Sequence, residues 1–133
     1  MIKKIIFVVL LFGFIFSPLF FLSTPCLELV QSFINSHKDK SWAPSWQLFV
    51  ADAFNKTFRP GGAEKTYQIF MERYPKHQRY PEAKFYYAFS LASDKNRKDE
   101  AIEEFNEFIE WYPDHPLRPD AEKRRNSLKY GFF

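Results

Sequence analysis

The sequence predicts an all-α fold: about two helix pairs of a short helical repeat plus a capping helix, following an N-terminal transmembrane or signal helix. Three observations carry this. Residues 5–22 contain no charged side chain and follow directly on Lys3 and Lys4. A block of residues recurs at a constant spacing of 38. Within each copy apolar residues return every three or four positions, the period of one helix face.

The N-terminal segment sets the domain plan. Two lysines before a run of Phe, Ile, Leu and Val have the layout of an export signal or a signal anchor. Positive flanks stay on the cytoplasmic side, which sends the rest of the chain across the membrane. Residues 5–22 approach the minimum for a bilayer-spanning helix, and Leu27, Leu29 and Val30 could extend it. Pro18 interrupts the run without excluding a span. Cleavage finds poor sites: Ser17 precedes Pro18, and Leu22 stands three places before the residue after Thr24. Pro25 before Cys26 breaks a lipobox, so Cys26 reads either as a lipidated residue or as an inert thiol. The plan is therefore a signal anchor or signal peptide over residues 1–26, a linker or short helix over 27–43, and a repeat domain over 44–130.

Charge and cysteine content exclude several classes. The 133-residue chain has a net charge of +3, two units of it from Lys3 and Lys4. The remaining charges are interspersed, whereas nucleic-acid binding calls for a basic stripe, so no nucleic-acid partner is expected. Lys123, Arg124 and Arg125 read as the solvated face of a last helix. Cys26 is the single cysteine, so neither an intrachain disulfide nor a cysteine metal site can form. Aromatic residues make up 20% of the chain, so rings fill much of any interior.

The repeat comes next. Ala63, Tyr67, Phe70, Glu72, Tyr74, Pro75 and His77 correspond to Ala101, Phe105, Phe108, Glu110, Tyr112, Pro113 and His115. The correspondence continues without a gap through Pro81, Glu82 and Ala83 to Pro119, Asp120 and Ala121. Ala101, Phe105, Phe108 and Trp111 or Tyr112 mark one helix face, with Asp99 and Glu100 suited to its N-terminal end. The Tyr-Pro step ends each such helix, because a residue before proline is driven from the helical region. Pro81 and Pro119 fit the first turn of a partner helix, where a missing N–H costs nothing. The polar stretch 94–99 reads as a turn. Projecting backwards predicts a helix over 45–55 with Phe49 and Phe54 buried, then a turn over 59–62. Projecting forwards predicts a capping helix over 120–130. Tyr112 is expected to be buried between the last pair and that cap.

On these residues the chain resembles the tetratricopeptide-repeat family. Phe105-x-x-Phe108-x-x-x-Tyr112-Pro113-x-His115-Pro116 is similar to a variant found in bacterial envelope proteins, such as the tetratricopeptide lipoprotein of outer-membrane barrel assembly and the Tol–Pal coordinator. The resemblance covers residues 44–128. It implies a right-handed superhelix whose inner helices line a groove for a protein or peptide partner. The chain departs from the family in its 38-residue period, against about 34, in Ala88 where a glycine is usual, and in having half as many repeats.

The site residues follow from the implied groove: Gln47, Phe54 and Asn55, then Phe85, Phe89 and Ser93, then Lys123. Tyr87, Ala88 and Leu91 are assigned to packing. No catalytic residue, cofactor or metal is expected. His77 and His115 read as repeat punctuation that caps a helix end, and His37 stands alone in a polar linker. The acidic residues of 99–110 lie along a helix without an oxygen-rich loop for calcium. The reading is a membrane-tethered scaffold facing the periplasm or cell exterior, with a cleaved periplasmic or secreted adaptor, or an accessory enzyme subunit, as alternatives.

Overall fold

The computed structural model describes residues 22–131. The expected anchor or signal segment lies outside the described residues as far as residue 21. Those described are all helical, without strands: α1 (Thr24–Ser36), α2 (Ala43–Lys56), α3 (Pro60–Arg73), α4 (Tyr80–Leu91), a 3-10 turn (Lys95–Arg97), α5 (Lys98–Trp111) and α6 (Arg118–Tyr130). None of these helices is long and apolar enough to cross a membrane.

Proline opens five of the six. Pro25, Pro44, Pro60, Pro81 and Pro119 each sit in a first turn, where no intrahelical bond is lost. α5 begins instead with Asp99 and Glu100, which complement the helix dipole. Each helix packs against its neighbours in the chain.

Four apolar positions of the repeat are equally buried in both copies. Ala63, Tyr67, Phe70 and Ala83 are completely buried, and so are Ala101, Phe105, Phe108 and Ala121. The first set belongs to a core shared by α1 to α4, the second to a core shared by α4 to α6. Rings of this size contribute about 1.5–3 kcal/mol each when removed from water.

The corners repeat as well. The His77 N–H donates to the Tyr74 carbonyl and the Tyr80 N–H to the His77 carbonyl; His115, Tyr112 and Arg118 reproduce both bonds. Tyr112, expected to be buried, is only half-buried, with its ring centroid 5.4 Å from that of Phe108. Its place at the helix end leaves one side of the ring outside the core.

The helix expected over 45–55 is α2, and one further helix, α1, precedes it and pairs with it. α1 occupies much of the stretch expected as linker or short helix, and the register of the α1–α2 pair is offset by 40 residues rather than 38. Leu27 and Ala43 are buried like Tyr67 and Ala83, and His37 bonds to Ile34 as His77 does to Tyr74.

The expected turn over 59–62 sits differently. Gly61 and Gly62 form the first turn of α3, and the chain reverses one step earlier, at Phe58 (φ 55°). The Phe58 N–H donates to the Asn55 carbonyl and the Arg59 N–H to the Phe54 carbonyl, at 3.1 and 2.9 Å. This helix stop normally has glycine at the left-handed position. In α2 Phe49 is exposed rather than buried, and Val50 and Ala53 take the interior face with Phe54.

Candidate binding clefts

Two of the clefts between helices bear on the expected groove, and both carry polar side chains. The larger, about 580 Å³, lies between α2 and the start of α4 and is closed by the α5–α6 connection. Asp52, Asn55 and Lys56 line it from α2, Arg79, Glu82 and Tyr86 from the α4 side, and His115 and Leu117 from the connection.

Its floor is an ordered network. The buried Tyr67 hydroxyl donates to Asp52 Oδ1 at 2.6 Å. Burial, reinforced by the Asp52 carboxylate, pushes the Tyr67 hydroxyl far above the ordinary tyrosine value. Arg79 Nε donates to Glu82 at 2.7 Å, and its Nη2 lies 3.7 Å from Asp52. Partial burial works against the Arg79 charge, but Glu82 and Asp52 outweigh it and raise its pKa. Tyr86 stacks on Tyr67 with centroids 5.9 Å apart. Mixed charges beside an aromatic surface can take the backbone and side chains of a peptide.

The second cleft, about 370 Å³, lies between α4 and α6. Phe89 and Ser93 line one wall, Lys123 and Arg124 the other. The Arg124 guanidinium sits 4.3 Å from the Phe89 ring centroid, within cation–π range.

The expected groove residues therefore divide. Phe89, Ser93 and Lys123 share the smaller cleft, and Asn55 lines the larger one. Gln47, Phe54 and Phe85 face the interior instead. The Gln47 amide exchanges hydrogen bonds with Gln31 at 2.9 and 2.8 Å and donates to the Thr66 carbonyl at 3.3 Å. It joins α1, α2 and α3 rather than meeting a ligand. Phe54 packs over Gly62, and Phe85 lies edge-on to Phe105 and Phe108 at 5.8 and 5.7 Å. Tyr87, assigned to packing, packs against the first core and is half-buried.

His77 and His115 behave alike. The His77 ring accepts from the Arg79 N–H and the His115 ring from the Leu117 N–H, each at 3.1 Å. Each imidazole thus takes up the N–H of the residue just before the next helix, α4 and α6 respectively. His37 differs: its ring turns back to the Phe33 carbonyl at 2.9 Å. Among the described residues no cluster of His, Cys, Asp and Glu could hold a metal ion.

Besides Arg79, sequence reasoning missed the roles of Lys84 and Arg59. Lys84 is buried, with Nζ 2.7 Å from both Glu104 and Glu107 and 4.6 Å from the Trp111 ring centroid. Burial lowers its pKa, but the two carboxylates outweigh this and leave it raised. The only hint was Glu104 and Glu107 three apart on one helix face. Arg59 donates to the Leu22 carbonyl and, at 2.5 Å, to the Thr24 hydroxyl. It ties the α2–α3 corner to the start of α1.

No protein-family model matches the chain, and no curated protein matches it.

Proposed function

We propose that this chain is a membrane-tethered protein-interaction scaffold of the tetratricopeptide-like kind. It holds a segment of a partner protein in the cleft between α2 and α4. The observation that carries the reading is the equivalence of the His77 and His115 corners, which matches the 38-residue sequence repeat bond for bond. Stacked helix pairs of this sort leave clefts between units, and such surfaces suit extended partners. Lys3, Lys4 and the charge-free run 5–22 support a tether with the repeats outside the cytoplasm, which fits a bacterial envelope.

The test is site-specific photocrosslinking in native membranes, with the photoreactive side chain at Asn55 or at Gln68, which is exposed on α3. The reading predicts a discrete protein adduct from Asn55 and none from Gln68. Equal labelling from both positions, or none from either, would sink it. An adduct recovered only from the soluble fraction would support a cleaved adaptor instead.

A further inference from the structure

On the first helix pair, Leu29, Phe33, Trp46 and Phe49 stay exposed beside the repeat core. On α1, Cys26, Leu29 and Phe33 follow one another at three- and four-residue spacing, and Leu29 is 72% exposed. A trough of about 620 Å³, lined by Leu29, Val30, Phe33, Ile34, Trp42 and Trp46, runs between α1 and α2. Trp46 and Phe49, in edge contact at 5.5 Å, continue the face along α2. Two of the chain's three tryptophans lie here.

We infer that this face rests on the lipid bilayer, so that α1 is an interfacial helix and the array stands on its first helix pair. The inference rests on the tethered reading above. What selects lipid is the chain leading into α1. The charge-free run ends at Leu22, and α1 starts at Thr24, so the face begins where a span would leave the membrane. Ser23 just before α1 is extended (φ −67°, ψ 148°), so α1 starts anew at Thr24 and its axis need not follow the direction of a span. Upright, α1 would carry Phe33 roughly 13 Å from its start at 1.5 Å per residue. Lying flat, it keeps Leu29 and Phe33 in the interfacial layer, about 5–10 Å deep, that amphipathic helices occupy. Tryptophan is enriched at that level. The Arg59 bonds to Leu22 and Thr24 fix the orientation by holding the junction against the α2–α3 corner.

The experiment uses the full chain in phosphatidylcholine nanodiscs loaded with one copy each, footprinted with hydroxyl radicals. Trp46, Phe49 and Trp111 are 48, 51 and 54% exposed, so Trp111 on α5 is a matched internal control. A photoactivatable phosphatidylcholine reactive at headgroup depth provides the second readout. The inference predicts that Trp46 and Phe49 oxidise several-fold more slowly than Trp111, with lipid adducts on α1 and α2. Oxidation of Trp46 as fast as Trp111 in loaded discs would overturn the docking while leaving the tether standing. Protection without lipid adducts would also overturn it, since another part of the chain would then cover the face. A chain that fails to enter discs and is extracted from membranes by alkaline carbonate would remove the tether, and the docking with it.

Discussion

Gly62 approaches Phe54 so closely that a Cβ at Gly62 would stand 2.5 Å from Cδ1 of the ring and 2.8 Å from Cγ. The contact lets α3 close on α2 across the corner at Phe58. All three nearest atoms belong to the buried Phe54 ring itself, so the ring as a whole would have to shift to admit a Cβ. Gly62→Ala should therefore destabilise the protein by about 1–3 kcal/mol, the usual cost of overpacking. A Cβ at Gly61 would meet nothing within 4 Å, so Gly61→Ala should be neutral or gain up to about 1 kcal/mol from helix propensity. Urea denaturation of the two variants decides. Equal effects would contradict the packing described.

Phe85 and Phe89 sit one turn apart on α4 with different roles. Phe85 is enclosed by Phe105 and Phe108, whereas Phe89 lies under Arg124 at the rim of the smaller cleft. Phe85→Ala should cost about 3–5 kcal/mol, as core aromatic truncations do. Phe89→Ala should cost under about 1 kcal/mol, since it leaves no enclosed cavity. Thermal unfolding that ranks the two in the opposite order would overturn the assignment.

The corner histidines give a prediction of symmetry. His77→Ala and His115→Ala each remove an acceptor for a helix-start N–H and a ring lying edge-on to Phe70 or Phe108. Each should cost about 1–2 kcal/mol, the range of a lost helix cap. Chemical denaturation should give similar losses. A large loss at one corner and none at the other would show that the repeat is not energetically equivalent.

Alkaline pH should weaken the fold. Burial and the bond to Asp52 raise the Tyr67 pKa above its ordinary 10.0, and the Glu104 and Glu107 contacts raise that of Lys84 above 10.5. A group whose folded pKa is raised contributes stability in full below its unfolded pKa and loses it as pH rises through the folded value. Stability should thus fall as pH rises above 10. Tyr67→Phe should lose about 1 kcal/mol at neutral pH with the hydrogen bond and show a shallower alkaline fall. An unchanged pH profile in that variant would contradict the role given to Tyr67.

Much of the helical order was legible because the repeat supplies its own control. Ala63, Phe70 and Ala83 each have a buried partner 38 residues on, and the Tyr-Pro steps mark the helix ends. The sequence was silent where that pattern degrades. In α1, Leu27 and Ile34 stand where the next copy has Tyr67 and Tyr74, the offset becomes 40, and the helix adjoins an apolar run that hides its face. In α4 apolar residues surround most of the helix, so periodicity could not separate buried Phe85 from Phe89. Lys84 reads as a surface charge until Glu104 and Glu107 are brought opposite it. Gly61 and Gly62 suggest a turn, and only the closeness of Phe54 explains a glycine inside the helix.

The most direct test of the proposed binding function measures affinity for the partner segment that crosslinks to Asn55. Fluorescence anisotropy would titrate that segment against the full chain as wild type, Asn55→Lys and Gln68→Ala, with melting temperatures measured in parallel. The account predicts at least about a tenfold loss for Asn55→Lys, the factor that 1.4 kcal/mol represents, with no change for Gln68→Ala and similar melting in all three. Equal affinity of Asn55→Lys and wild type would contradict binding in the α2–α4 cleft.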